Sequence, residues 1–449
     1  MMWGEKARGG PFLLGLVLLT VLFLAIAFWN GFPLVFYDTG GYLAEGLEGA
    51  FLPERSPVYS LLLFLTGAGF SLWPVIVLQS AMTAYLVAET ACCEAGASLA
   101  KLLATGAILM LATGIGWYTG QVEPDCMTAL VVLGAFLLLF HADILSRLRL
   151  ALVIAVTGLA VACHPSHLGL MAGLLVAALI LRIWWREADF HLLPAASAFL
   201  LALALVLTAN YSLTRQIFLS RAASVFVFAR LMQDGIVKRL LDDTCPASGY
   251  TLCAYRNRLA KRADAWLWGP GSLFRTEGGF KGAHREETRM VFDSIRRYPL
   301  LQIADAARDS AAQFFTFKTG DGIQSQEWIL RPGIEKMTPG QLSSYLAARQ
   351  QRAPIRFNVL NMIHVTVGMV SLLGLVALIQ AGLVKQRWRE VAFPGLVLLA
   401  LIGNAIICAT FSNPHDRYQS RLIWLPTLVL ILARMKSTPA LRPKRESGS

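Results

Sequence analysis

Long runs of apolar residues, separated by short polar segments, occur along most of the chain. A helix that crosses a membrane needs about 20 mostly apolar residues, because the hydrocarbon layer is about 30 Å thick. Ten runs approach this length, and two of them form a helical pair hinged at His164-Pro165. The pattern predicts an all-α polytopic membrane protein with about ten transmembrane helices, at residues 11–33, 73–91, 102–118, 127–140, 150–163, 168–183, 193–210, 357–383, 391–411 and 422–432.

The longest polar interval, residues 211–356, separates the seventh and eighth predicted spans. It contains helical-looking runs at 284–298 and 303–315, and turn signals such as Gly269-Pro270-Gly271. This interval is long enough for a small domain on the membrane face. The predicted division is a membrane module with spans one to seven at 1–210, a mainly helical outer domain at 211–356, spans eight to ten at 357–434, and a basic cytoplasmic tail at 435–449.

Composition decides how the positive charge of the chain is interpreted. The 449 residues are 56% hydrophobic and only 15% charged, whereas about 25% charged residues are usual in soluble proteins. Lys and Arg number 40 against 28 acidic residues, an excess that would suggest nucleic acid in a soluble protein. In a membrane protein the same residues report orientation, since cytoplasmic loops are enriched in Lys and Arg. We therefore expect membrane lipids, and no nucleic acid, as partners.

Among the termini and the short loops, Lys and Arg are concentrated at the N-terminus, in alternate loops and in the C-terminal tail, which predicts that both termini are cytoplasmic. The sequence Trp29-Asn30-Gly31-Phe32 lacks the small-residue cleavage pattern of a signal peptide, so the first run is predicted to be an uncleaved span. The outer face then collects residues 34–57, 119–125, 164–167, 211–356 and 412–421. The basic residues of the cytoplasmic side include Lys6, Arg8, Lys101, Arg147, Arg149, Arg182, Arg186, Lys385, Arg387, Arg389, Arg434, Lys436, Arg442, Lys444 and Arg445.

Five of the seven cysteines lie in or next to predicted spans, where a lone Cys usually behaves as a small buried hydrophobe. The other two, Cys245 and Cys253, are eight residues apart in the predicted outer domain. In an oxidising compartment they are predicted to form a short-loop disulfide, and the alternative is a pair of free thiols. No zinc-binding spacing is present.

Acidic residues in the outer segments are the sharpest candidates for catalysis. Asp38 precedes Gly40-Gly41, which would let the backbone approach a ligand, so Asp38 could be a general base or a metal ligand. The alternative is an Asx-type turn at a helix start. Glu123 and Asp125 flank Pro124 where the fourth predicted span begins. These two acids could act as a carboxylate pair or hold a metal, or they could be ordinary residues of a helix N-terminus.

Basic, aromatic and histidine residues on the same face are candidates for substrate binding. Arg55 could hold a phosphate or could anchor at the membrane interface. Arg417 and Arg421 lie four residues apart, so on a helix they would share a face and could clamp a phosphate or diphosphate. Each such residue alone could also be a solvated loop residue. The predicted substrate-binding set is Tyr42, Arg55, Tyr59, His164, His167, His415, Arg417 and Arg421.

An i,i+3 spacing such as that of His164 and His167 suits a metal only if the segment is helical. Pro165 lies between the two histidines and argues against a helix there, so the pattern does not favour a metal site.

Several of these features occur together in a recognisable order. Asp38 follows the first predicted span, and an Arg-x-Pro-x-Tyr element follows at residues 55–59. Glu123-Pro124-Asp125 opens the fourth span, and a large outer domain follows the seventh. In this pattern, over roughly residues 11–210, the chain resembles the GT-C superfamily of integral-membrane glycosyltransferases, which includes the protein O-mannosyltransferases and the bacterial lipid A aminoarabinose transferase.

The resemblance implies transfer of a sugar, with inversion, from a polyprenyl-phosphate donor to a lipid, glycan or protein acceptor. It implies an enzyme of the bacterial inner membrane with its active site facing the periplasm. Asp38, Glu123 and Asp125 would be the catalytic residues, and they could also hold a divalent cation such as Mg²⁺ or Mn²⁺, although metal-independent members exist. Many members carry two adjacent acids in the first loop, whereas Asp38 stands alone. The division of labour among the three acids therefore stays open.

The implied chemistry needs a carboxylate that takes the proton of the acceptor hydroxyl and a cation that stabilises the leaving phosphate. Asp38 fits the first role, and Arg417, Arg421 and Arg55 fit the second. A lipid-linked donor also agrees with the absence of a Gly-rich phosphate loop from the sequence. Two alternatives are a transporter or flippase of lipid-linked sugars, with polar groups expected at mid-bilayer depth, and an O-antigen-ligase-like enzyme that uses a diphosphate carrier.

Overall fold

The structure is a computed structural model that describes residues 9–184, 190–282 and 284–437. Within these residues it contains 24 α-helices and no β-strand, only an isolated bridge between Leu34 and Gln121. The all-helical class predicted from the sequence is confirmed. Lys6, Arg8, Arg186 and the predicted basic tail beyond residue 437 lie outside the described residues.

Apolar runs form the helices of the N-terminal part, and the breaks between them fall at glycine, proline and short polar residues. Helices α1 and α2 make one apolar rod that ends at Gly31, whose φ of 80° is a conformation that glycine adopts without strain. The helices are α1 Gly9–Phe23, α2 Ala25–Asn30, α3 Thr39–Glu48, α4 Pro57–Leu65, α5 Trp73–Ala95, α6 Leu99–Ala112, α7 Ile115–Thr119, α8 Met127–Phe140, α9 Arg147–Ala162, α10 Pro165–Trp184 and α11 Leu192–Thr214.

The interval predicted as an outer domain is mainly helical, and the chain then returns to the bundle. The helices of the interval are α12 Ala223–Gln233, α13 Ile236–Thr244, α14 Ala263–Leu267, α15 Leu273–Thr276, α16 Arg285–Arg297, α17 Pro299–Phe314, α18 Glu327–Met337, α19 Leu342–Ala347 and α20 Arg349–Arg352. The last four helices are α21 Phe357–Val384, α22 Trp388–Phe411, α23 Asp416–Ser420 and α24 Trp424–Ser437.

Among the described residues, six helical stretches are long and apolar enough to cross a membrane: Gly9–Asn30, Trp73–Ala95, Pro165–Ile183, Leu192–Thr214, Phe357–Val384 and Trp388–Phe411. The other four predicted spans correspond to helices of 14 to 16 residues, namely α6, α8, α9 and α24. Helix α8 is buried from Met127 to Leu139, so its apolar composition serves packing inside the bundle. The chain is a membrane-embedded helical protein, and the count of ten spans stays a prediction.

The outward faces of the long helices carry exposed apolar side chains. Leu13 and Val21 of α1, Ile180 of α10 and Leu373 of α21 are examples. Such surfaces suit lipid, where a helix satisfies its own backbone hydrogen bonds and needs no polar outer face.

The first part of the 211–356 interval, residues 216–298, has a hydrophobic core of its own, and we call it the small lobe. Phe228 of α12, Trp266 of α14 and Met290 of α16 are buried together in this core. A disulfide joins Cys245 to Cys253 beside the core, with the two Cα atoms 5.7 Å apart. The small lobe therefore folds around its own apolar side chains.

The second part of the interval, residues 299–356, packs directly on the helix bundle, and we call it the connecting segment. Helix α17 lies along α22, while Leu330 of α18 and Tyr345 of α19 belong to the main core of the bundle. Gln350 donates from Nε2 to the carbonyl of Val35 at 2.7 Å and accepts from the Val35 amide at 3.0 Å. The connecting segment thus supports the loop that carries Asp38.

The two ends of the helix bundle can be distinguished along α5. Near the start of α5, Gln79 donates to the carbonyl of Gln121 at 2.9 Å. Glu94 lies fifteen residues further along the same helix, which is about 22 Å at 1.5 Å per residue. There Glu94 pairs with His141 at 2.8 Å and with Lys436. We call the Gln121 end, formed by residues 34–57, 119–125 and 412–421, the loop face.

Candidate active site

Backbone and hydroxyl contacts hold the Asp38 loop beside the segment that contains Glu123. The amide of Val122 donates to the carbonyl of Leu34 at 2.8 Å. The hydroxyl of Thr39 donates to the carbonyl of Val122 at 2.9 Å. Thr39 follows Asp38 and Val122 precedes Glu123. These bonds therefore hold the two acid-bearing segments side by side, although 85 residues separate the two acids along the chain.

Arg55 forms the first ion pair of the site. Its Nη2 donates to Oδ1 of Asp38 at 2.9 Å, and its guanidinium carbon lies 4.9 Å from the centre of the Tyr42 ring. A Cβ atom at Gly41 would lie 2.5 Å from Nε of Arg55. The glycine predicted to permit a close approach therefore makes room for Arg55.

Tyr42 and Tyr59, both predicted to bind substrate, form a buried aromatic support beneath Arg55. Their ring centres are 4.9 Å apart in an edge-to-face arrangement. The Tyr59 hydroxyl donates to Oε1 of Gln79 at 2.6 Å. Tyr59 is thus engaged within the bundle, and Tyr42 contacts the site through Arg55.

Arg417 stands among the three acids predicted to be catalytic. Its Nη2 lies 3.7 Å from Asp38, and its Nη1 lies 3.8 Å from Glu123 and 4.0 Å from Asp125. The segment before α24 therefore meets the first loop and the start of α8, three regions that are distant in sequence. The tertiary fold brings these predicted residues together at the loop face.

Arg421 lies one helical turn after Arg417 but in a different environment. Its side chain is fully buried, and Nη1 donates to Oδ1 of Asp125 at 2.5 Å. Its Nη2 donates to Oδ1 of Asn404 at 3.2 Å. Asn404 was not predicted as a site residue, although a polar residue within an apolar helix such as α22 is a signal for a functional or packing role.

The environments of Asp38 and Glu123 push their pKa values in opposite directions. Burial by itself raises the pKa of Asp38, but the guanidiniums of Arg55 and Arg417 outweigh it and hold that pKa below its ordinary value. Burial, reinforced by the nearby charges of Asp38 and Asp125, raises the pKa of Glu123 well above its ordinary value. Such a split between neighbouring carboxyl groups is how proteins separate acid and base roles.

Several polar atoms of the site are buried without a hydrogen-bond partner among the described residues. They are Nε of Arg55, Oε2 of Glu123, Nη1 of Arg417 and Nε of Arg421. Buried polar atoms in native proteins are nearly always bonded to protein or water. These atoms leave hydrogen-bonding capacity for a polar ligand.

The divalent cation predicted from the sequence would be held by Asp38, Glu123 and Asp125. Within the part of the chain that the structure describes, no group of three or more His, Cys, Asp or Glu residues has the arrangement of a metal site. The guanidinium of Arg417 lies within 4.0 Å of all three carboxylates. In this arrangement the three acids surround a guanidinium, and the divalent cation stays a prediction.

His164 and His167, the predicted histidine pair, make contacts within the fold. The two ring nitrogens of His167 bond the hydroxyl of Thr128 at 2.7 Å and the carbonyl of Ala160 at 2.8 Å. His164 Nδ1 lies 2.7 Å from the Ser166 hydroxyl. His167 therefore has no free ring nitrogen for substrate in this arrangement.

His415 joins three segments at the edge of the site. Its Nε2 lies 3.6 Å from Asp264 of the small lobe, and its Nδ1 lies 3.6 Å from Asp321 of the connecting segment. Burial opposes the charge on the ring, but these two carboxylates raise the pKa of His415 to about 9. Neither acid was predicted, because both lie in an interval where sequence alone identifies no partner.

Two aromatic residues that the prediction missed also contact Arg417. Its guanidinium carbon lies 4.3 Å from the ring centre of Phe36 and 5.1 Å from that of Tyr418. Both rings flank predicted site residues in sequence, which is the signal that could have identified them. Cation–π contacts of this kind hold a guanidinium in place while leaving its N–H groups free to donate.

No family model, no curated protein and no solved structure matches this chain. Any functional assignment therefore rests on the residues of the loop face and on their geometry.

Proposed function

We propose that this chain is a membrane glycosyltransferase of the GT-C kind. It moves a sugar, with inversion, from a polyprenyl-phosphate donor to a hydroxyl of a lipid, glycan or protein acceptor. One observation carries the proposal: Arg417 lies within 4.0 Å of three carboxylates, and Asp38 among them is also bonded to Arg55. An ionised Asp38 next to guanidiniums, at one end of a membrane bundle, suits transfer from a lipid phosphate to a hydroxyl.

Asp38 is the proposed general base. Its side chain is 25% exposed, against 3% for Glu123 and 5% for Asp125, so an acceptor hydroxyl reaches Asp38 most readily. Its lowered pKa keeps it ionised at neutral pH. In the reaction the acceptor oxygen bonds the anomeric carbon, its proton passes to Asp38, and the bond between that carbon and the phosphate oxygen breaks.

Arg417 is the proposed partner of the departing phosphate. The leaving oxygen gains negative charge as the glycosidic bond breaks, and a positioned cation stabilises that charge. Arg417 is 15% exposed and its Nη1 has no hydrogen-bond partner among the described residues, whereas Arg421 is fully buried against Asp125. We therefore assign phosphate contact to Arg417 and positioning to Arg421.

Glu123 is the proposed hydrogen-bond donor to the sugar-phosphate. Its raised pKa favours the protonated form, in which a carboxyl group donates one hydrogen bond. Its Oε2 is buried without a partner among the described residues. With Glu123 neutral, the three arginines of the site exceed the remaining two acids in charge, which favours an anionic donor.

The test is turnover by the purified full-length chain in detergent with a radiolabelled sugar on polyprenyl phosphate. Release of polyprenyl phosphate together with labelled acceptor supports the proposal. Movement of intact donor across a vesicle bilayer without bond cleavage would instead support a flippase. The proposed setting is the bacterial inner membrane, with the loop face on the periplasmic side.

A further inference from the structure

A concave site lies between the first loop, which also carries Asp38 and Arg55, and the small lobe. It has a volume of about 800 Å³, within the range of about 300–1,000 Å³ that is typical of small-molecule sites. Its described lining includes the side chains of Arg221, Lys281, Arg285 and Arg289. We call this cavity the basic pocket.

Positive charges predominate in the basic pocket. No Asp or Glu belongs to its described lining. Among the described residues, no carboxylate lies within ion-pair distance of Lys281 or Arg285, and both side chains are exposed. Arg289 is 3.5 Å from Asp293 but remains 63% exposed. Arg221 stacks over Phe218, 4.3 Å from the ring centre. The pocket therefore offers several cations to a ligand.

Apolar rings form other parts of the wall. Phe51 comes from the first loop, and Phe280 and Phe292 come from the small lobe. Phe292 is 58% exposed. Guanidinium and ammonium groups recognise phosphate oxygens, while the rings suit an apolar chain. The combination fits an amphiphile with a phosphate-bearing head.

The first loop links the basic pocket to the site of the proposed chemistry. Pro53 lines the pocket, and Arg55, two residues later, bonds Asp38. Two residues span at most about 7 Å. Glu54, between them, is within electrostatic range of both Arg55 and Lys281. The basic pocket and the Asp38 site are therefore connected through residues 53–55 of the first loop.

We propose that the basic pocket binds the phosphate or diphosphate head group of an amphiphilic substrate. That the ligand is a substrate rests on the proposed transferase function, whereas the anion binding itself does not. Two kinds of substrate carry such a head group, namely the polyprenyl donor and a phosphorylated acceptor.

The experiment measures binding of dodecyl phosphate and of inorganic diphosphate to the full-length chain in a neutral detergent. The double variant Lys281→Ala/Arg285→Ala removes the two unpaired cations. The matched control, Lys238→Ala/Arg239→Ala, removes the same charge from α13 of the same lobe, outside the pocket lining. We expect at least tenfold weaker binding of both probes to the pocket variant, and a change below twofold in the control.

Equal binding by the wild type and the pocket variant would overturn the proposal, as would an equal loss in the control. Lys281 and Arg285 are exposed, so the folded state should tolerate their replacement. The single variant Lys281→Glu provides a second measurement if the double variant is poorly folded. Its binding should fall further than that of Lys281→Ala, because it reverses the charge.

Competition distinguishes the two sources of phosphate. Displacement of dodecyl phosphate by farnesyl phosphate, but not by short-chain phosphatidic acid, assigns the pocket to the donor. The reverse order assigns it to a phosphorylated acceptor, and displacement by neither overturns the proposal. The Asp38→Asn variant should bind diphosphate as the wild type does. Pocket-dependent binding without any sugar transfer would therefore refute the transferase and leave the anion site standing.

Discussion

The guanidinium of Arg421 donates a hydrogen bond of 2.5 Å to Asp125, and the two side chains are only 0% and 5% exposed. This pair joins the segment before α24 to the start of α8. Because Arg417 lies one turn before Arg421, the pair also determines where Arg417 meets Asp38 and Glu123. A fully buried pair thereby positions Arg417, which is 15% exposed, beside those two acids.

Replacing Arg421 by Ala should destabilise the fold. The change leaves Asp125 buried without its partner, and breaking a buried ion pair in this way costs about 3–5 kcal/mol. Thermal unfolding in detergent, followed by tryptophan fluorescence, should show a clearly lower Tm. Arg331→Ala removes an arginine that pairs with Glu335 at the surface and should change Tm little. An unchanged Tm for Arg421→Ala would contradict the positioning role.

Asp38→Asn should abolish most sugar transfer while the protein remains folded. The amide keeps the size of the side chain but cannot take a proton, and loss of a general base typically lowers the rate by about 10²–10⁴-fold. Initial rates with a polyprenyl-phosphate-sugar donor measure this effect. Glu327→Gln, at an exposed acid of α18, is the control and should keep full activity. Retention of more than about a tenth of the rate would move the base role to Glu123 or Asp125.

Gly41→Ala should reduce transfer through Arg55. The new methyl group would lie 2.5 Å from Nε of Arg55 and would push the guanidinium away from Asp38. At the neighbouring Gly40 a methyl group would meet only the end of the Leu330 side chain at 2.8 Å, which can shift. We therefore expect Gly41→Ala to be clearly less active than Gly40→Ala at similar protein levels. Equal rates for the two variants would show that the contact between Arg55 and Asp38 is dispensable.

His415 should make stability depend on pH. Its folded-state pKa of about 9 lies above its ordinary value of 6.5, so protonation favours the folded state. The contribution of His415 is fully present below about pH 6.5 and is lost as the pH rises through about 9. The difference in Tm between the wild type and His415→Gln should therefore be larger at pH 6 than at pH 9.5. A difference that is independent of pH would contradict the ion pairs with Asp264 and Asp321.

Orientation can be tested in the small lobe. The Lys and Arg distribution predicts that residues 211–356 lie on the periplasmic side. A reporter fused after Ser248 should be active only if it is one that works in the periplasm, and a reporter fused after Ser449 should show the opposite behaviour. Cytoplasmic activity after Ser248 would place the proposed site on the wrong side for a periplasmic acceptor.

The apolar pattern by itself determined the helical class and much of the helix placement. A stretch such as Trp388–Phe411 has to be helical in lipid, because only a helix or a closed barrel satisfies its backbone there. The same pattern could not separate lipid-facing helices from buried ones. Helix α8 is as apolar as a span but is enclosed by other helices, and burial by protein and burial by lipid favour the same residue types.

Sequence also predicted Asp38, Glu123, Asp125, Arg55 and Arg417 as site residues, since ionisable residues near the membrane boundary need partners or a function. It could not decide how they pair.

The i,i+4 spacing of Arg417 and Arg421 suggested one shared role, yet the fold leaves the first partly exposed among three acids and buries the second against Asp125. Phe36, Asn404 and Asp321 join the site only through long-range packing. Such contacts depend on where distant segments meet in space, and local sequence patterns do not encode that.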